Sequence, residues 1–205
     1  MPTKEQILES LLSITNNYSI VAIIWHIAFY LLIAFLISKW VPSNKMLIIM
    51  LCLPLLSVSF FAWSSGNPFN GSLFLILVIL VILFGLKASS GPLLLSSFPF
   101  LFIGFIMVIF GLIYPHFLNT ESFIEYFYAS PAGLIPCPTL SIVIGFALIF
   151  NGFGSQSVTI TLIAFGLFYG IFGVLKLAVY LDIFLLFGTL SLLVKYFISM
   201  KNISG

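Results

Sequence analysis

The stretch VTITLIAFGLFYGIFGVLKLAVYLDIFLLFGTLSLLVKYFIS, residues 158–199, decides the fold of this chain. It is apolar almost without interruption for about 42 residues, which as one α-helix would extend roughly 60 Å, twice the hydrocarbon core of a bilayer. The stretch therefore predicts a hairpin of two membrane-spanning helices. Lys176 and Asp182 mark the turn between them.

The composition of the whole chain leads to the same class of protein. Of its 205 residues, 62% are hydrophobic and 6% are charged, and the mean hydropathy is +1.29. Soluble domains carry about 25% charged residues, so a chain this poor in charge is suited to hydrocarbon and its predicted partner is the lipid bilayer. All seven cations are lysines. Without arginine or a basic patch, the chain is not expected to bind nucleic acid.

Polar turns divide the rest of the chain into further apolar runs, which predict an all-α integral membrane protein with a single bundle of seven transmembrane helices. The predicted spans within the single domain 1–205 are 20–37, 46–63, 73–86, 93–114, 136–150, 158–175 and 182–199. The fifth span is short, so six spans with a re-entrant fifth segment is the alternative. Pro99 would kink the fourth span if it lies inside it.

Two segments lie outside the predicted spans. In residues 1–17 the apolar positions fall near helical spacing, and Glu5 and Glu9 stand where a signal peptide would have its apolar core. We therefore expect a short interfacial helix there, not a signal peptide. Residues 115–134, PHFLNTESFIEYFYASPAGL, are expected to form a long polar and aromatic loop.

The lysines favour one orientation, because positive residues gather in cytoplasmic loops. An outer N-terminus and an inner C-terminus leave only Lys4 and Lys176 outside. The lysines then inside are Lys39, Lys45, Lys87, Lys195 and Lys201. We expect a multi-pass protein of a bacterial cytoplasmic membrane.

Seven spans would bring one set of polar residues to a single membrane face, whichever way the bundle is oriented. The candidate polar site consists of His26, His116, Cys137, Thr139, Lys176 and Asp182. Cys52 would lie in the other half of the bilayer, roughly 20 Å from Cys137 in depth by the helical rise. A disulfide or a shared metal ion between the two cysteines is therefore not expected.

Cys137 lies between Pro136 and Pro138, where the loop gives way to the fifth span. A thiol near histidine and acidic groups could bind a soft metal ion. The single thiol favours a packing role instead, in a helix start that the two prolines stiffen, since Pro138 in the first turn needs no N–H acceptor. No metal or other cofactor is predicted.

The ionisable residues of the candidate site each allow two interpretations. His26, inside a span, is either functional or a neutral imidazole bonded to a neighbouring helix. Asp182 either caps the last span while Lys176 snorkels from the previous one, or is a proton or cation site with Lys176 or His26 as its partner. His116 is interpreted as an interface residue.

Other patterns favour structural roles. Glu121 and Glu125 are four residues apart and would share a helix face, either attracting a cation or lying solvated in the loop. Gly166 and Gly170 have the spacing at which membrane helices approach closely. The sequence contains no phosphate-binding loop, zinc-peptidase motif or nucleophile elbow, so an enzyme is not predicted.

The segment GLIPCPT, Gly133 to Thr139, resembles the G-x-x-P-C-P-T signature of an uncharacterised family of bacterial multi-pass membrane proteins, a domain of unknown function. Tyr114-Pro115 at the end of a span is similar to the same family. So are GNPFNGSLFLIL after the second span and GVLKLAVYLDIFLLFG, which has Asp182 at the family's acidic position. The resemblance covers nearly the whole chain, except for a longer aromatic 117–129 loop. It implies the architecture and no particular activity.

Three hypotheses follow for the function. The first is a small permease or channel-like transporter of an ion or small solute, which a water-filled cavity lined by Asp182 or His26 would favour. The second is a non-transporting accessory subunit or sensor, as a homo-oligomer or with a membrane partner, which a dry core and an exposed aromatic 115–134 loop would favour. The third is a membrane-embedded enzyme or metal-binding protein, which convergence of His26, His116 and Cys137 would favour.

Overall fold

The computed structural model of the chain describes residues 3–38, 42–88 and 91–204. These residues form helices and turns, and no strand occurs among them. The helices are α1 (Lys4–Asn17), α2 (Ser19–Ile37), α3 (Asn44–Ser64), α4 (Pro68–Gly85), α5 (Phe98–Ile113), α6 (Tyr126–Ala129), α7 (Pro136–Ile149), α8 (Gln156–Phe172) and α9 (Ile183–Ser204). Lys39, one of the lysines that favoured the predicted orientation, lies outside the described residues.

Five helices in the described ranges are long and apolar enough to cross a membrane. They are α2, α3, α4, α8 with its extension to Leu177, and the segment Tyr180–Lys201 that contains most of α9. This confirms the predicted all-helical membrane protein. The predicted count of seven is not settled by these five, because α5 and α7 are apolar but shorter, at 16 and 14 residues.

The short helix α7 forms the centre of the bundle. Every residue of α7 except Cys137 is buried. It runs antiparallel to α5, and glycines allow the two backbones to approach closely: a Cβ atom at Gly104 would lie 2.7 Å from the carbonyl oxygen of Gly145. Farther along the same contact, a Cβ at Gly111 would lie 2.5 Å from the carbonyl oxygen of Pro138.

Prolines mark where helices begin. Pro68, Pro99 and Pro136 each lie in the first turn of a helix, where the missing N–H has no intrahelical acceptor. Pro99 therefore does not kink the helix, because α5 begins at Phe98 and not at residue 93. Pro54, by contrast, lies inside α3.

Helices α8 and α9 form the hairpin that the 158–199 stretch predicts. After α8 a π-helical turn, Gly173–Leu177, leads to Ala178 in the left-handed region, and a 3₁₀ turn, Tyr180–Asp182, precedes α9. Gly166 packs against Thr189 and Gly170 against Leu186. These two glycines therefore face α9, as expected of small residues at a helix contact.

Helix α1 covers one end of the bundle. Its buried residues Ile7, Leu11 and Ile14 pack in a cluster with Tyr114, Phe117, Leu134, Ile135, Leu177 and Val179. The Asn16 side chain also donates to the Phe117 carbonyl oxygen at 2.9 Å and accepts from the Asn119 N–H at 2.8 Å. The apolar face of α1 therefore contacts protein, a feature that the predicted interfacial helix did not include.

The two ends of the bundle differ in charge. We call the end that α1 covers the acidic end, because all five acidic side chains of the chain lie there: Glu5, Glu9, Glu121, Glu125 and Asp182. They belong to α1, to the loop between α5 and α7, and to the turn before α9. The opposite end, where α7 is joined to α8, contains Lys195 and is called the lysine end.

Candidate functional site

A buried carboxylate lies where three helix ends meet at the acidic end. Tyr114 directly follows α5, Cys137 is the second residue of α7, and Asp182 directly precedes α9. The Tyr114 hydroxyl donates to Asp182 Oδ1 at 2.8 Å, and the Cys137 thiol donates to Oδ2 at 3.1 Å. Asp182 is only 1% exposed. We call Asp182, Tyr114 and Cys137 the carboxylate cluster.

The start of α7 is built so that Cys137 points toward Asp182. Thr139 accepts a hydrogen bond from the Gly133 N–H at 2.8 Å and donates to the Ile135 carbonyl oxygen at 2.8 Å. Gly133 has φ +77°, and the Trp25 ring occupies the place of a side chain at this position. The GLIPCPT segment is therefore a rigid corner, and Thr139 acts within the corner without contacting Asp182.

The absence of a side chain at Gly173 leaves room for the Asp182 carboxylate. A Cβ atom at this position would overlap Asp182 Oδ2. Neither hydrogen-bond donor to Asp182 carries a positive charge. In an apolar protein interior a carboxylate that is held only by neutral donors has a high desolvation cost, which a proton or a cation would offset.

A small cavity adjoins the carboxylate cluster. Its volume is about 20 Å³, which is room for about one water molecule. Asp182, Cys137, Tyr169 and Asn70 are among the residues of its wall, and Leu11 of α1 lines it as well. The Tyr169 hydroxyl donates to the Asn70 Oδ1 atom at 3.3 Å, so this second polar pair extends the site toward α4.

His26 is fully buried but belongs to a different contact. Its Nδ1 lies 2.8 Å from the Ala22 carbonyl oxygen, and its Nε2 lies 2.9 Å from the Leu112 carbonyl oxygen of α5. Ser130 donates to the same Leu112 oxygen at 2.6 Å. His26 thus joins α2 to the end of α5. Both ring nitrogens lie against carbonyl oxygens, and a neutral imidazole can donate to only one of them.

Lys176 and His116 are both exposed at the acidic end. Among the described residues, the groups that bond to Asp182 are Tyr114 and Cys137, so neither Lys176 nor His26 is its partner here. Nor does the carboxylate cap α9, although Asp182 stands at the capping position. His116 contacts the Phe117 ring at 4.1 Å between centroids, and burial of that side lowers the pKa of the imidazole.

The structure gives no support to a metal centre. No group of three or more His, Cys, Asp and Glu residues within 3–38, 42–88 and 91–204 could hold a metal ion. His26, His116 and Cys137 do not converge. Cys52 and Cys137 are both free thiols, and Cys52 is buried in α3.

Sequence reasoning missed three members of the site: Tyr114, Asn70 and Tyr169. Tyr114 had a signal, since it stands at the end of an apolar run and immediately before Pro115. Asn70 lies in the first turn of α4, where a polar residue in the sequence indicates only a turn. Tyr169 sits inside an apolar helix, and nothing in the sequence distinguishes it from the other aromatic residues there.

The fold and the carboxylate cluster define a polytopic α-helical membrane protein with a buried polar site near one end. No family model matches the chain, and no curated protein or solved structure matches it significantly.

Proposed function

We propose that this protein is a small membrane permease that moves a proton or a small cation, with Asp182 as the group that binds it. The observation that carries the proposal is the burial of the Asp182 carboxylate, 1% exposed, between two neutral donors, Tyr114 and Cys137. Ionisable groups inside a membrane bundle are rare and mark ion or proton pathways by default. The role is binding and release, and the proposal includes no catalytic reaction.

The surroundings of Asp182 support an exchangeable ligand. The phenol and the thiol can stabilise the carboxylate, but they leave its charge in place. A proton or a small cation would neutralise that charge, and the adjoining 20 Å³ cavity has room for about one water molecule that could accompany it. In this arrangement the site is occluded, because Leu11 of α1 covers it and the apolar core around α7 lies beneath it.

In the proposed topology the chain has seven spans, with the N-terminus outside a bacterial cytoplasmic membrane and the C-terminus inside. Support comes from the pairing of α5 with α7. The N–H of Ser96, just before α5, donates to the carbonyl oxygen of Ile149 at the end of α7 at 2.9 Å. Gly111 contacts Pro138 near the other end, so the two helices have a similar extent. If α5 crosses, α7 crosses too. Because α7 is buried in protein, its length of about 21 Å is not exposed to lipid.

The test is flux through liposomes that contain the purified full-length chain. A membrane potential is imposed, and internal pH or cation content is followed with trapped dyes in sodium, potassium and choline salts. We expect Asp182→Asn to lower the flux at least about tenfold, the effect of losing roughly 1.4 kcal/mol of binding free energy. Glu121→Gln, which neutralises an exposed carboxylate at the same end, should behave like wild type. Equal flux for wild type and Asp182→Asn would overturn the proposal.

One observation favours a second function, that of a non-transporting subunit or sensor. The loop between α5 and α7 exposes Phe123 (61%) and Ile124 (69%), with Phe127 and Tyr128 next to them. An exposed aromatic patch is typical of contact sites. A photo-crosslinker at Ile124 in native membranes should then give one discrete adduct that Phe127→Ser abolishes, while the purified chain produces no flux above that of empty liposomes.

A further inference from the structure

A second polar pocket lies at the lysine end, far from Asp182. It has a volume of about 210 Å³, roughly seven times the 30 Å³ that a water molecule occupies in the liquid. The α7–α8 connection forms one wall and α9 forms the other. The polar side chains that concern the argument are Asn151, Ser155, Gln156, Lys195 and Ser199.

Lys195 is a buried cation in this pocket. Its side chain is only 6% exposed, and Nζ donates to Asn151 Oδ1 at 2.5 Å. An ammonium group has three N–H donors. In the described part of the chain the neutral Asn151 amide is the hydrogen-bond partner of Lys195, so the charge has no counterion there and further donors stay available.

No acidic side chain can supply that counterion. All five acidic residues of the chain lie at the acidic end. Asp182 is on the same helical segment as Lys195 but about 20 Å away by the helical rise. A buried charge without a counterion has a high desolvation cost. A diffusible anion would offset this cost.

The other wall of the pocket also suits an anion. Four successive residues, 151–154, have φ between 48° and 64° and fold the backbone into a left-handed turn. Helix α8 begins directly after it at Gln156, with Ser155 capping the N–H of Val158 at 3.3 Å. The first N–H groups of a helix lack intrahelical acceptors, and its dipole is positive at this end.

We propose that this pocket binds a phosphate-type oxyanion, either free phosphate or the phosphate of a lipid headgroup. Residues that carry donors line one space from different elements: Lys195 and Ser199 from α9, and Gln156 from the start of α8. A tetrahedral oxyanion offers acceptor oxygens in several directions at once. The inference concerns the lysine end and stands independently of the transport proposed for Asp182.

The first experiment uses the full-length chain in detergent without phospholipid. Inorganic phosphate is titrated against chloride at matched ionic strength, and binding is followed by calorimetry and thermal unfolding. Lys195→Met removes the charge but keeps an apolar side chain of similar length, and we expect it to weaken phosphate affinity at least about tenfold. Lys87→Met, an exposed lysine at the same end, is the matched control and should bind like wild type.

The second experiment separates the two sources of phosphate. Ser199→Leu would fill the pocket from α9 without altering Lys195, and it guards against misfolding of Lys195→Met. If free phosphate does not bind, native mass spectra should show phosphatidylglycerol retained by wild type and by Lys87→Met but lost from Lys195→Met and Ser199→Leu. If neither phosphate nor phosphatidylglycerol depends on Lys195 and Ser199, the proposed site is wrong.

Discussion

At the scale of single residues, the two donors to Asp182 differ in kind, and their contributions can be separated. Tyr114→Phe removes the hydroxyl but keeps the ring, so it leaves a buried carboxylate with one donor. We expect it to lower the free energy of unfolding by about 1–3 kcal/mol. Cys137→Ser keeps a donor of similar size and should change stability by less than about 1 kcal/mol. Unfolding in mixed micelles measures both differences.

A matched pair of Cys137 variants checks that the donor is responsible. Cys137→Val has similar volume but cannot donate, so it should be less stable than Cys137→Ser. The same order is expected for flux, if Asp182 binds the transported ion. Equal stability of the two variants would mean that Cys137 contributes packing only, which is the structural interpretation its single thiol first favoured.

His116 gives a prediction about pH. Burial of one side lowers the pKa of its imidazole below the ordinary value of 6.5. Below that value the unfolded chain therefore binds more protons than the folded chain, so stability falls as pH decreases through 6.5. The contribution is small, because His116 is exposed and at most one proton is involved. In wild type this loss should be measurable between pH 7.5 and 5.

The variant His116→Gln isolates this effect, since glutamine does not titrate in that range. Its midpoint of thermal unfolding should depend less steeply on pH than that of wild type between pH 7.5 and 5. Identical pH profiles for the variant and wild type would show that protonation of His116 does not affect stability. Glu9→Gln provides a control for general charge changes at the acidic end, because Glu9 is exposed on α1.

Part of the candidate site could be predicted from the sequence, for a physical reason. The order of spans fixes depth and membrane face, and this placed Cys137 and Asp182 at one end of the bundle. It does not fix rotation about the helix axes, so it could not tell that Cys137 faces Asp182 while Lys176 faces away. Tyr114 was missed as a partner because a tyrosine at the end of a span is usual at membrane interfaces.

At the scale of helices, α1 is an element that covers the proposed site through Leu11, and we expect its movement to open the site. Ser10 Oγ of α1 lies 3.5 Å from the carbonyl oxygen of Ser65, so the two residues are in contact and a pair of cysteines can be introduced there as a cross-link. Oxidation of the Ser10→Cys, Ser65→Cys variant should hold α1 in place and lower flux at least about tenfold. Reduction should restore the flux.

The controls for this prediction are the two single variants, which cannot form the cross-link and should respond little to oxidant. The native thiols Cys52 and Cys137 are free and partly or fully buried, so the same controls also report any effect of oxidising them. Undiminished flux through a fully cross-linked sample would show that α1 does not gate the site.

Helix boundaries were largely predictable, but most helix contacts were not. The predicted spans 20–37 and 136–150 lie close to α2 and α7, because polar turns and prolines interrupt the apolar runs at these points. The span predicted from residue 93 begins too early, since Leu93, Leu94 and Leu95 are apolar without being helical. Side chains that face lipid and side chains that face protein are equally apolar, so the contact of Gly104 with Gly145 left no signal.

At the scale of the whole molecule, the main feature is that the fold places the acidic side chains and the buried Lys195 at opposite ends of the bundle. The acidic side chains lie at one end, and Lys195 lies buried at the other with no acidic partner among the residues that the structure describes. Each end has a polar site next to a buried charge, and the apolar core around α7 lies between them. The proposed cation site and the proposed oxyanion site are therefore on opposite faces of the bundle.

The number of spans is determined by the membrane face on which each connection between helices lies. Labelling of three exposed positions can establish it. Lys87 follows α4, Glu121 follows α5, and Gln156 follows α7. Single cysteines at these positions, in a Cys52→Ala, Cys137→Ser background, are labelled with a membrane-impermeant maleimide in right-side-out and inside-out vesicles. With seven spans, Glu121→Cys is labelled from outside, and Lys87→Cys and Gln156→Cys from inside. Labelling of Gln156→Cys from the same side as Glu121→Cys would make α7 re-entrant and the count six.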